Sequence, residues 1–240
     1  MIEFFDNLLG TGMTEMYVNA IFTTVKITLL STFLAYVIGF PLGIILYGTA
    51  SGSIFPNKSV NAAAGVIVNI LRSIPFVILL VMTQPLASVI VGTKIGDNAF
   101  IFYLVVAAAP FVARMIESSL KEVDAGVIEA AQSMGSNNFQ IITKVVIPEA
   151  KPSLIIGSAI AVTTILGYTP MTYLIAGGGL GEMAVRYGLY KFDSKTMYIS
   201  SVLLIILVQI LQETLNHIAK SSDKRIRNQQ NTHQKKEKKS

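Results

Sequence analysis

The sequence predicts an all-α integral membrane protein with five transmembrane helices, and three observations carry that prediction. The 240-residue chain is 52% hydrophobic and only 14% charged, with a mean hydropathy of +0.59, too little charge for a soluble domain of this length. Its apolar residues fall in long runs, not in stripes of period 2 or 3.6, so lipid is the solvent they meet. Five runs, 27–47, 73–93, 98–116, 152–176 and 196–215, are each long enough to cross a hydrocarbon core of ~30 Å.

Span 27–47 carries no charge, and Lys26, one residue before it, is expected to snorkel to the outer headgroups. Gly39 and Gly43 form a small-xxx-small pair that suits close helix packing, and Pro41 between them can kink the helix. Residues 59–71 read as a short interfacial helix. Arg72-Ser73-Ile74-Pro75 then reads as a helix restart into span 73–93. At the bilayer centre Arg72 would cost ~2.5–3.5 kcal/mol on insertion scales. It is therefore expected at the cytoplasmic interface or facing protein, as an anchor or, alternatively, in gating. Span 98–116 has Arg114 near its end. Span 152–176 is interrupted by Gly167 and Pro170; backbone groups freed by a proline at membrane depth are tolerated only against protein or a water-filled cavity. That makes Tyr168, Met171 and Thr172 candidates for lining a pathway, with plain packing as the alternative.

An odd number of spans puts the termini on opposite sides. With the C-terminus in the cytoplasm, inside segments hold 13 Lys and Arg and outside segments 4, as the positive-inside rule requires. Eight of the 13 lie in residues 220–240. The domain reading is an extracytoplasmic segment 1–26, a five-span transmembrane domain 27–219 with a cytoplasmic loop 120–151, and a disordered basic cytoplasmic tail 220–240, topogenic or lipid-binding. The start is acidic and lacks signal-peptide features, so it is expected to stay on the mature chain. There is no cysteine, and the only histidines are His217 and His233. Thiol chemistry is excluded, and no metal site is expected. No paired acid or Ser-His arrangement lies within a span, which argues against an intramembrane enzyme. No internal repeat or deep acid points to an ATP-independent transporter. The net charge of +5 reads as topology, and no nucleic-acid partner is expected.

Loop 120–151 is polar enough to leave the membrane and patterned enough to fold. Ile128, Ala131 and Met134 recur at helical spacing, Gly135 interrupts, and Ser136-Asn137-Asn138 offers the N-cap of a second helix with Phe139, Ile142, Val145 and Val146 on its apolar face. Pro148 is expected to end the unit. Two short helices meeting at a glycine make a knob that suits a cleft on a partner. Ala130 and Ala131 allow close backbone approach, and Glu129 can fix register. Spacing alone leaves open an ordinary amphipathic loop helix with a solvated acid.

Residues 128–148, IEAAQSMGSNNFQIITKVVIP, resemble the EAA loop of ABC-importer permeases. NILRSIPFVILLV (69–81), AAAPFVARMIE (107–117), KVVIPEAKPSL (144–154) and GGGLGEMAVRYG (177–188) are similar, in order and spacing, to the methionine-uptake permeases, a family of type I ABC importers. The resemblance implies a homodimer of five-helix chains around a central pathway in a bacterial inner membrane. It also implies two cytoplasmic ATPase subunits that bind ATP and Mg, and an extracytoplasmic substrate-binding lipoprotein. Glu129, Ala130, Ala131, Gly135 and Pro148 then match the ATPase-coupling positions. The chain has no G-x-x-x-x-G-K-[ST] loop, so it is expected to be no enzyme and to hold no cofactor. Pro170, Thr172 and Tyr173 depart from the small residues and Met that the resemblance implies after the tyrosine. The substrate reading is methionine, L- or D- or a close derivative; another amino acid or short methionine peptides are the alternatives.

Overall fold

A stripe of small residues on the first helix sets how the bundle packs. The computed structural model describes residues 13–222, with side chains through Ile218. Helix α1 (Met13–Gly48) lays Ala35, Gly39 and Gly43 against α4 (Gly96–Lys121). A Cβ on Gly39 would stand 2.8 Å from the carbonyl oxygen of Ala109, and one on Gly43 2.7 Å from that of Ala113. The sequence pair is therefore a true backbone-to-backbone contact, the kind that holds helices together where lipid gives no hydrophobic drive between them.

Helix α1 begins well before residue 27. Polar residues ahead of the apolar run do not stop it, because they satisfy themselves on the helix. The Thr24 hydroxyl donates to the Ala20 carbonyl at 2.8 Å and the Thr32 hydroxyl to that of Thr28 at 2.8 Å. At 36 residues α1 is ~54 Å long, well beyond the hydrocarbon thickness.

Span 73–93 is corrected. A helix α2 (Lys58–Ser73) is followed by α3 (Phe76–Ile90), and the two are bent by 112° at the break. Alone, α3 has 15 residues, ~22 Å, and is too short to cross. Among the described residues four helices are long and apolar enough to span a membrane, and five spans result if the bent pair counts as one. Pro75 is the cause of the break: it holds Ile74 extended. Asn57 caps the start of α2, and the Asn61 amide donates to Leu46 O at 2.7 Å, fixing α2 to the end of α1. Further along α2, the Arg114 guanidinium donates to Asn69 Oδ1 at 2.9 Å.

The charges on α4 are internally neutralised. Glu117, with 7% side-chain exposure, takes Arg114 at 2.6 Å and Lys121 at 2.7 Å from one helical turn on each side. A paired acid can stay near a membrane boundary where a bare one cannot.

Span 152–176 is part of a longer helix. Short α5 (Ala125–Ser133) leads through a tight turn to α6 (Asn138–Gln140), a π segment Ile141–Val146, α7 (Ile147–Tyr168) and a 3-10 turn Thr169–Ile175. Pro148 does not end anything. The Ile147 amide donates to the carbonyl of Ile142, five residues back. That wide turn is the adjustment that lets a helix carry a proline without a break. Then α8 (Leu180–Val185), a π segment Arg186–Tyr190 and α9 (Ser194–Ser222) follow. Helix α9 reaches past residue 220; the rest of the predicted basic tail, and residues 1–12 of the predicted outer segment, lie outside the described residues.

The two ends of the bundle are distinct. Tyr17 and Ala20 at the start of α1 pack on Leu180 and Met183 of α8, whereas Tyr47 and Ile54 near its end line a cleft with Lys121, Ile128 and Glu129.

Candidate functional site

The turn between α5 and α6 is built entirely from its own caps. Asp124 accepts from the Gly126 amide at 2.7 Å and starts α5. The helix ends in a Schellman motif: the Gly135 amide donates to Gln132 O at 2.9 Å and the Ser136 amide to Ala131 O at 3.1 Å. Gly135 sits at φ +79°, a conformation costly to any residue with a Cβ. Asn137 then caps the next helix in a reciprocal box with Gln140, at 2.9 and 3.0 Å.

This knob exposes an unusual pair. Met134 is 79% and Phe139 74% exposed, one on each side of Gly135. Sequence periodicity grouped Phe139 with Ile142, Val145 and Val146 on one apolar face. The π turn that follows buries Ile141 in its place, with Ile142 and Val146. Two large apolar side chains on a polar, capped turn form a surface suited to a partner's pocket. Glu129 and Ala130 are exposed and Pro148 is exposed, but Ala131 is buried at 3% in this chain's own core. Close approach at Ala131 is thus internal, and Ala130 alone of the two alanines faces out. The Glu129 carboxylate lines a cleft of about 350 Å³ beside Ser51, Gly52 and Lys121, with no ion pair among the described residues.

The second candidate region lies at the far part of α7. Tyr168 stacks on Phe76 of α3, ring centroids 4.7 Å apart and 16° from parallel. Both rings line a cavity of about 190 Å³ that also takes in Arg72, Phe111 and Thr164, and Ala107 and Ala108 at the middle of α4. Arg72 therefore shares a cavity with the middle of α4 and not with its Lys121 end. Gly167 is exposed and open, with nothing within 4 Å of where its Cβ would be. It lies on a stripe of exposed residues with Ile156, Ile160 and Leu174. Met171 is half-buried against the core.

Thr172 is placed differently from the expectation. It is fully buried, and its hydroxyl lies 2.8 Å from Thr169 O and 3.1 Å from Gly178 O, as donor. It closes the turn that ends this helical run, where Ala176 adopts φ 51°. Asp97 accepts from the Gly178 amide at 2.8 Å, and Thr24 accepts from the Leu180 amide at 2.8 Å. The glycine run 177–181 is needed for close approach, since a Cβ on Gly181 would stand 2.7 Å from Pro170 Cα. Among the described residues no His, Asp or Glu group is arranged to hold a metal.

Comparison with known proteins gives a consistent answer. Residues 39–228 match the family described as binding-protein-dependent transport system inner membrane component. The chain is 41% identical over 212 residues to a probable D-methionine transport system permease protein of Vibrio cholerae, covering 88% of this chain and 94% of the relative. It is 41% identical over 181 residues to a methionine import system permease protein of Bacillus subtilis, covering 75% and 82%. Among solved structures, an inward-facing methionine ABC transporter contains a chain 40% identical with a TM-score of 0.88, covering 90% of this chain and all of that one. An amino acid ABC transporter solved with histidines shares the fold at 17% identity and TM-score 0.72.

Proposed function

Because the chain belongs to the family of binding-protein-dependent transport system inner membrane components, we propose that it forms half of the membrane pathway of an ATP-driven methionine importer. A second copy completes the pathway, two cytoplasmic ATPase subunits drive it, and an extracytoplasmic binding protein delivers the substrate. The methionine reading is supported by relatives of closely similar length named for methionine transport.

The observation that carries the mechanism is continuity. From Asn138 to Ile175 the chain is one helical run of 38 residues, ~57 Å long. One end is the knob that exposes Met134 and Phe139; the other carries Tyr168. A displacement of the knob by a partner moves Tyr168 with it, because a packed helix transmits motion as a rod. In this mechanism Met134 and Phe139 insert into a pocket of the ATPase, Glu129 and Ala130 set register beside them, and Gly135 holds the turn that aims them. Pro148 sits beside the π-adjusted section, whose wide hydrogen bonds keep the rod unbroken across it. Closure of the two ATPases on ATP drives the two knobs together, and the pathway beside Tyr168, Gly167 and Met171 turns outward. Thr172 keeps the outer turn closed behind them. A thioether is apolar and polarizable and passes an aromatic- and methionine-lined wall easily. ATP and Mg stay on the partner; this chain supplies no reaction. The knob end then lies in the cytoplasm with the C-terminus, and the N-terminus lies outside.

The test is ATP hydrolysis by the reconstituted complex with its partners present. Stimulation by methionine-loaded binding protein, and not by a sugar, is expected. Stimulation by an unrelated solute with none by methionine removes the substrate assignment.

A further inference from the structure

We infer that Arg72 is the carboxylate-binding group of the translocation pathway, holding the transported amino acid while its side chain enters the cavity between Phe76 and Tyr168; this rests on the importer reading above. Three observations converge. Arg72 lines that cavity at the level of Ala107 and Ala108, the middle of α4. A guanidinium at that depth is costly against lipid, so it faces protein or a wet pathway. It is exposed, and no described residue forms an ion pair with it. The contrast is with Arg114, which binds Glu117 and Asn69, and with Arg186, which binds Glu182.

The cavity fits one end of a small amino acid. At about 190 Å³ it is below the ~300–1,000 Å³ typical of drug-sized ligands, so it admits a short side chain and leaves the polar end at the mouth. Leu79, Phe111 and Ile165 give it an apolar wall, which suits an aliphatic or thioether group, beside a polar wall of similar extent. No acidic side chain lines it. The ionised group that the wall answers is therefore an anion, and the planar fork of arginine matches a carboxylate. The hydroxyls of Thr164 and Tyr168 are acceptors for the ammonium.

The experiment compares Arg72→Gln and Arg72→Lys in the complete complex, permease with ATPase and binding protein, reconstituted in vesicles. Both variants keep a polar end, and only lysine keeps the charge. Arg72→Gln is expected to lower the initial rate of methionine uptake by about tenfold or more, the scale of one charge-assisted hydrogen bond, and Arg72→Lys to recover most of it. The unfolding temperature of the methionine-free complex in the same vesicles separates substrate from lipid phosphate. A contact to substrate leaves that temperature at the wild-type value in Arg72→Gln, whereas a phosphate anchor lowers it. Wild-type uptake by Arg72→Gln, a lowered unfolding temperature, or failure of that variant to assemble with its ATPase each overturns the assignment. Absence of methionine uptake by the wild-type complex removes the importer reading itself, and this one with it.

Discussion

Tyr168 stacks on Phe76 at a centroid distance of 4.7 Å and 16° from parallel. This pair joins the far part of α7 to the first residue of α3, just past the bend that follows Arg72. It places an aromatic wall beside the exposed stripe of Gly167.

Tyr168→Ala removes that wall. Loss of the ring pair costs ~0.5–1.5 kcal/mol beyond lost burial, and the cavity opens. We expect a lower unfolding temperature in detergent and methionine uptake reduced severalfold. Tyr168→Phe keeps the stack and both properties. Equal behaviour of the two variants would separate the ring from the pathway.

Gly43 has no room for a side chain. A Cβ there lies 2.7 Å from Ala113 O and 2.8 Å from Ile116 Cβ, backbone and branched carbon that cannot swing away. Gly43→Val is expected to destabilise the fold by ~1–3 kcal/mol, the cost of overpacking. Thermal unfolding of the purified complex checks it. Gly167→Ala, in open space on a helix, is the control expected to keep stability or raise it by up to ~1 kcal/mol.

Gly135 is constrained by conformation, not by space, since nothing lies within 4 Å of its would-be Cβ at φ +79°. Gly135→Val therefore strains the Schellman turn by ~1–2 kcal/mol and re-aims Met134 and Phe139. The variant is expected in the membrane at normal levels with methionine uptake lost and the ATPase released from control. Charge reversal at Glu129 is expected to weaken co-purification of the ATPase. Normal transport by both variants would mean the knob is not the coupling element.

Much of this was legible in the sequence, and the reasons differ by element. Gly39 and Gly43 are spaced for a close helix contact, and Gly135 and Asn137 carry local cap chemistry that needs no tertiary partner. The start of α1 was hidden because Thr23 and Thr24 look polar to a hydropathy window, yet the Thr24 hydroxyl bonds to its own helix. Pro75 marked a break but not its 112° direction, so the depth of Arg72 could not be read. The π turn has no sequence signal beyond Pro148, so the separation of exposed Phe139 from buried Ile142 and Val146 was not legible. Thr172 was taken for a lining residue because the contact that buries its turn comes from Asp97, 81 residues away from Gly178.

Topology can be tested without background, since the chain has no cysteine. Ser136→Cys lies on the knob and is expected to resist an impermeant thiol reagent in intact cells and to react in inverted vesicles. Labelling from outside would invert the arrangement and place the knob beyond reach of a cytoplasmic ATPase.

Conduction of methionine by this chain, under the drive of ATP, is what the mechanism requires. Its most direct test is accumulation of radiolabelled methionine in vesicles holding the permease, its ATPase and its loaded binding protein, with ATP on the side of the knob. Transport that requires ATP and binding protein, and that is abolished in Gly135→Val, is expected. Equal methionine movement with and without ATP, or none in the complete system, would contradict it.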